Sequence, residues 1–213
     1  MTNRNKRIII TLVSCAICLL PLAAGLILYN RLPEQLPVHY SIEGEADAFA
    51  VKIVAISLLP GICVLLAVLS ATGMSFVKDM KILTFAAVLS IGPLLSCSLQ
   101  AMMYLEAFGY PVQEMTITMI LIGILFFILG STVPSVGPNS LFGARFPWIM
   151  DDEEAWYKTQ RFTGILMVLL GIVYIIDAFA NLGGTNGAVA MILGGTILLL
   201  IASGFYSLIV ANA

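Results

Sequence analysis

The sequence predicts an all-α, polytopic membrane protein: a bundle of six transmembrane helices with both termini in the cytoplasm. Three observations predict it. Hydrophobic residues make up 60% of the 213 residues and charged residues only 10%, whereas soluble domains carry about a quarter charged. Mean hydropathy is +1.03. The apolar residues gather into six runs, at about Ile8–Leu28, Ile53–Thr72, Ile82–Tyr104, Met115–Val133, Thr163–Leu182 and Ala188–Val210. Each is close to the roughly 20 residues that a helix needs to cross about 30 Å of hydrocarbon. Lipid offers no water to the backbone, so every run must be helical. Residues 1–213 read as a single membrane domain, with two polar modules at 29–52 and 134–162.

The first run follows Asn3-Arg-Asn-Lys-Arg7 and ends near Ala23-Ala24-Gly25, features shared with a secretory signal. It is longer than the roughly 7–15 residues of a signal core, which predicts an uncleaved first helix. Prolines interrupt the first three runs, at Pro21, Pro60-Gly61 and Gly92-Pro93. Each removes a backbone hydrogen bond and bends its helix. Kinked spans serve transporters, whose freed carbonyls bind ions, and passive bundles equally. Cys15, Cys18, Cys63 and Cys97 all fall inside runs. Cys15-Ala-Ile-Cys18 has redox spacing, yet a thiol in lipid holds little thiolate, and the four read as small apolar side chains. The fifth run contains Asp177, the one acid within a run. A charge there is costly, which makes it a candidate ligand or proton site; its place near the helix end, with Asn181 one turn on, suits an interfacial role as well. Gly164 and Gly171, or Gly194-Gly195, permit close helix packing within or between chains.

Orientation follows from the ten Lys and Arg residues. With the N-terminus inside, Arg4, Lys6, Arg7, Lys78, Lys81, Arg145, Lys158 and Arg161 are cytoplasmic and only Arg31 and Lys52 are outside, as positive charge on the inner loops requires. The 29–52 segment is then extracytoplasmic and the 134–162 segment cytoplasmic. The net charge of −2 gives no reason to expect direct nucleic acid binding.

The outer segment carries Pro33, Pro37, Val38-His39-Tyr40, Glu34, Glu43, Gly44, Glu45, Asp47 and Lys52. The prolines keep its entry extended, residues 38–40 can form a short strand, and Gly44 supplies a turn. Its acids attract a cationic or amphipathic visitor. One histidine with scattered carboxylates is a weak metal signal, and a hydrogen-bonded or pH-sensitive His39 fits better. In the inner segment, Asp151 and Glu154 have the spacing of a capping box, and Glu154 and Lys158 are four apart in the favourable order. This predicts a short amphipathic helix running into the fifth span, with Trp148 and Trp156 at the membrane interface. The surplus of arginine, tryptophan and carboxylate makes a docking surface plausible.

Both loops together resemble the SdpI family of bacterial membrane immunity and signalling proteins. The outer loop is similar to the family's amino-terminal module through Leu32, Pro33, Pro37, His39, Tyr40, Gly44, Asp47 and Lys52. The inner loop is similar to its second module through Asn139, Phe142, Gly143, Arg145, Pro147, Trp148, Glu154, Trp156, Lys158, Arg161 and Gly164. The chain departs from the pattern at Gly130-Ser131-Thr132, at the uncharged Ser135-Val-Gly-Pro138, and at Gln160, where a histidine is common. The resemblance implies a protein that protects its cell from a secreted toxic peptide, and whose relatives in part also hold a small helix-turn-helix repressor at the membrane. It would place toxin at the outer loop and repressor at the inner one, with membrane lipid as the surrounding partner and no cofactor.

A small transporter or exporter, using the kinked helices and Asp177, is the alternative. An enzyme is not expected, because the spans hold no histidine, one acid and scattered serines, and no catalytic constellation results.

Overall fold

In the computed structural model, which describes residues 2–41, 45–77, 80–139 and 141–212, the polar backbone is folded away into long helices. These are α1 (Asn3–Ile27), α2 (Lys52–Ser75), α3 (Ile82–Leu89), α4 (Ile91–Ala107), α5 (Glu114–Thr132), α6 (Glu153–Ala180) and α7 (Gly184–Ala211), with strands β1 (Gln35–Tyr40) and β2 (Ala46–Val51) between α1 and α2. Among the described residues six stretches are long and apolar enough to cross a membrane, α3 and α4 together forming the third. Their outward faces are as apolar as their cores: Leu20, Leu69 and Leu198 are 59%, 58% and 63% exposed. Water would oppose that arrangement and lipid favours it. Glu43 and Gly44 of the outer segment, and the inner cation Lys78, lie outside the described residues.

The helices gather into two compact units, Met1–Thr72 with Leu89–Ile117, and Gly73–Val88 with Thr118–Ala213. In the first unit the prolines explain the packing. Pro21 and Pro60 lie inside continuous α1 and α2. The third span differs from expectation, because it is not one bent helix but two, α3 and α4, parted at Ser90. Pro93 has no N–H to offer Leu89 and its ring crowds that turn. The Leu89 carbonyl instead accepts the Ser14 hydroxyl of α1 at 2.8 Å.

The same substitution of side chain for backbone recurs at Pro21. The carbonyl four residues earlier, Ile17, faces the Cys97 thiol at 3.7 Å, and the neighbouring Cys18 carbonyl accepts the Ser96 hydroxyl at 2.8 Å. Gln100 donates to the Ala55 carbonyl beside the Pro60 break at 3.1 Å and to the Tyr104 hydroxyl at 3.2 Å, and Tyr104 donates to the Pro21 carbonyl at 2.8 Å. One polar stripe of α4 thus sits against the hydrogen-bond breaks that the prolines leave in the otherwise continuous α1 and α2. Carbonyls left open in hydrocarbon would each cost several kcal/mol, so the stripe holds the three helices together.

In the second unit α5 and α6 meet backbone to backbone. A Cβ on Gly130 would stand 2.6 Å from the Gly164 carbonyl oxygen and one on Gly164 would stand 2.5 Å from that of Gly130. Gly123 and Gly171 repeat the arrangement at 2.7 and 2.6 Å. The pairs are seven residues apart on both helices, two turns of a shared seam. These glycines therefore pack within the chain. On the next face of α6, Gly195 of α7 lies against the Tyr174 hydroxyl, and Phe162 stacks on Tyr206 with ring centres 4.3 Å apart.

Candidate functional site

The segment from α1 to α2 is a clamped antiparallel hairpin. Residues 35–40 pair with residues 46–51 from Gln35 opposite Val51 to Tyr40 opposite Ala46, with irregularities either side of His39. The strand at 46–51 was not foreseen, since Ala46-Asp-Ala-Phe-Ala-Val51 has weak strand character until Pro37 and Leu36 offer it an edge. Lys52 N–H donates to the Glu34 carbonyl at 3.0 Å, closing the hairpin at its base. Leu32 and Leu36 are buried against Ala55, Ile56, Met103 and Tyr104. Full burial of a leucine contributes about 1.5–3 kcal/mol, so two of them pin the hairpin to α2 and α4.

Three side-chain contacts stand out among its described residues. His39 Nδ1 lies 2.6 Å from Asp47 across the strands, both side chains well exposed. The Tyr40 hydroxyl donates to the Glu106 carboxylate of α4. Burial, then that bond and the negative charges of Glu106 and Glu114, raise the Tyr40 pKa well above the ordinary tyrosine value. Lys52 binds Glu34 at 2.8 Å and rests over the Tyr29 ring. Beneath the hairpin lies a largely apolar cavity of about 290 Å³ lined by Pro37, Val38, Tyr40, Leu58, Gln100 and Met103 among others.

The 134–162 segment folds back on the start of α6. Asn139 is its organiser: its side-chain oxygen accepts the N–H groups of Leu141 and Phe142 at 2.8 and 2.7 Å, and its amide donates to the carbonyls of Gly137 and Phe142. Gly143 takes φ +105, a conformation that favours glycine. Gln160, fully buried, then holds Ala144 by both ends, accepting from its N–H at 2.9 Å and donating to its carbonyl at 2.8 Å.

The two tryptophans differ. Trp148 is 46% exposed, stacks on Phe146 and donates to Ser207 at 2.9 Å, as a membrane-interface residue would. Trp156 is completely buried with Ile149 and Ala155, its indole donating to the Val136 carbonyl at 2.9 Å. The expected interfacial role is therefore corrected for Trp156: its ring closes the loop. The helix start also shifts by one. Asp152, not Asp151, caps α6 by accepting the Ala155 N–H at 3.0 Å. The expected helix running into the fifth span is present as the first turns of α6, which continues unbroken from Glu153 to Ala180.

The residues chosen in this segment accordingly divide. Asn139, Phe142, Gly143, Trp156 and Gly164 build the loop and seat it, while Arg145, Pro147, Trp148, Glu154, Lys158 and Arg161 face outward. Glu154 and Lys158 pair at 2.7 Å. Asp177 is buried, and its carboxylate accepts the Leu182 N–H at 3.2 Å where Asn181, at φ 47, ends α6. Sequence reasoning missed Gln100, Tyr104, Glu106 and Gln160. The signal for Gln160 was present: with Trp156, Thr163 and Gly164 it marks the same buried face at helical spacing.

A bilayer-spanning helical bundle with a clamped hairpin before its second span and a folded loop before its fifth defines a class of multi-pass bacterial membrane protein. Residues 135–211 match the SdpI/YfhL protein family and residues 16–64 match a domain of unknown function, DUF1648. The chain is also 28% identical over 170 residues to Immunity protein SdpI of Bacillus subtilis (strain 168), covering 79% of this chain and 81% of that protein. The family match and the relative both support the resemblance to the SdpI/YfhL family, the first over residues 135–211 and the second over 79% of the chain. No solved structure matches it.

Proposed function

We propose that this chain is an integral-membrane immunity protein that protects its cell from a secreted toxic peptide without catalysing a reaction. The similarity to Immunity protein SdpI carries the reading, because it extends over 79% of the chain. The geometry supports a recognition surface at the hairpin. His39 and Asp47 stand exposed on a scaffold fixed by Leu32 and Leu36, and a fixed surface loses little entropy when it binds. The charge distribution along the sequence favours this hairpin outside, where a secreted peptide arrives.

The 134–162 segment is the signalling surface in this reading, and its partner is a small helix-turn-helix repressor on the cytoplasmic side. Arg145 and Trp148 are exposed on the loop, and Glu154, Lys158 and Arg161 on the first turns of α6, next to backbone groups that Asn139 and Gln160 hold in place. Arginine and tryptophan are the residues that dominate docking energies. Transport has less support, because the carbonyls beside Pro21 are already engaged by α4 and the Asp177 carboxylate accepts a backbone N–H.

The test is survival of a toxin-sensitive Gram-positive strain expressing the chain. Wild type should protect, and His39→Ala at equal membrane expression should protect less. Arg145→Ala should keep protection and lose repressor recruitment. Absence of protection at confirmed membrane expression would sink the immunity reading.

A further inference from the structure

We propose that the groove beside Arg161 holds the phosphodiester headgroup of an anionic phospholipid, with an acyl chain running over Phe162 and Ile165. The groove, about 630 Å³, lies within the second unit and is lined by Pro134, Glu154, Tyr157, Lys158, Arg161, Phe162, Ile165 and Tyr206. This assignment concerns lipid: it gives Glu154, Lys158 and Arg161 to the headgroup and leaves Arg145 and Trp148 to the signalling surface proposed above, and it holds whether or not the chain confers immunity.

The charges in the groove are unequal. Glu154 is matched by Lys158 at 2.7 Å, whereas Arg161 makes no ion pair or hydrogen bond with any described residue. Lys158 and Arg161 against Glu154 leave a net +1 in the groove. A phosphodiester without a compensating ammonium carries one negative charge and neutralises it. Guanidinium is suited to the task because its planar fork meets two phosphate oxygens at once.

Depth favours lipid over a soluble phosphate. Arg161 is the last charged residue on α6 before an uncharged run that continues to Ile176, so it stands where headgroups meet hydrocarbon. One turn further, Ile165 is 55% exposed. Tyr157 and Tyr206 flank the charge, and aromatic rings with a polar tip favour this layer. Along α6 the order is paired charge, unmatched cation, then apolar surface. A phospholipid presents phosphate and then acyl chain in the same order.

The experiment reconstitutes the full chain in nanodiscs with photoactivatable phosphatidylglycerol or phosphatidylcholine, and maps the labelled residues by mass spectrometry. Wild type should be labelled between 157 and 165 or near 206 by phosphatidylglycerol, with phosphatidylcholine labelling much weaker. Arg161→Gln should weaken phosphatidylglycerol labelling about tenfold, the loss of one charged hydrogen-bond pair, and Arg161→Lys should weaken it less. Excess glycerol phosphate should not compete. Equal labelling by both lipids, unchanged labelling of a folded Arg161→Gln protein, or displacement by glycerol phosphate would each overturn the assignment. An acidic peptide that crosslinks at this groove and displaces the lipid would make it a protein-docking surface instead. Preference of the wild type between the two lipids decides the matter even where a variant is unstable.

Discussion

Gln160 shows how much one side chain settles. It spends both ends of its amide on Ala144. Gln160→Leu should leave two partly buried backbone groups of Ala144 without their partner, costing about 1–3 kcal/mol locally. Hydrogen exchange at residues 141–148 should quicken while the spans stay protected; unchanged exchange would show that Gln160 does not hold the loop. Gln160→His can keep one of the two bonds and should fall between. Tyr40 makes a second residue-scale prediction. Its folded pKa is raised above the unfolded value of about 10. Its contribution is therefore complete below about pH 10 and disappears as pH rises through the higher folded value. Protease resistance of the hairpin should be flat across neutral pH and fall only in strong alkali. Tyr40→Phe should weaken that resistance at pH 7 and abolish the alkaline step. The chemistry of these residues was legible only in part: His39, Tyr40 and Asn139 could be named from the motifs, but a bond such as Tyr40 to Glu106 joins residues 66 apart, and no local pattern reports it.

Elements are governed by what their neighbours permit. The α5 and α6 seam has room for a hydrogen atom and not for a methyl group, so Gly164→Ala should cost roughly 1–3 kcal/mol through overpacking. A methyl group on Gly194, by contrast, would meet nothing within 4 Å, and Gly194→Ala should stabilise α7 by up to about 1 kcal/mol through helix propensity. Thermal unfolding in detergent measures both, and shifts of the same sign would refute the seam. All six spans were readable from hydropathy, because length and apolarity alone decide whether a helix suits a bilayer. The break at Ser90 and the strand at 46–51 were not. Pro93 announced a disturbance, but a bend and a break differ by whether a partner such as Ser14 is there to take the Leu89 carbonyl. The glycine spacing permitted close packing; only the paired carbonyls show that the partner helix is α5.

At the scale of the whole molecule, the charge pattern predicts an orientation. With six crossings and the cationic segments inside, a membrane-impermeant maleimide applied to intact cells should label a cysteine placed at Asp47 and spare one placed at Glu153. The native cysteines lie within the spans and should give little background. The opposite labelling would invert the topology and with it the assignment of the hairpin to the toxin side. The family resemblance was legible at this scale through two short motifs and the spacing of the helices between them, which the matches at 16–64 and 135–211 cover separately. Nothing at this scale predicted the polar stripe of α4, since Ser96, Gln100 and Tyr104 acquire meaning only beside the breaks in other helices.

The joint between β2 and α2 has a mechanical consequence. The strand ends at Val51 and the helix begins at Lys52, with no linker between them. Each strand has six residues, a lever arm of about 20 Å, welded at its base to a membrane helix. A load applied at the tip cannot be absorbed by slack in the chain. It arrives at α2 through the joint and at α4 through Tyr40 and Glu106, and the hairpin works as a handle on both helices.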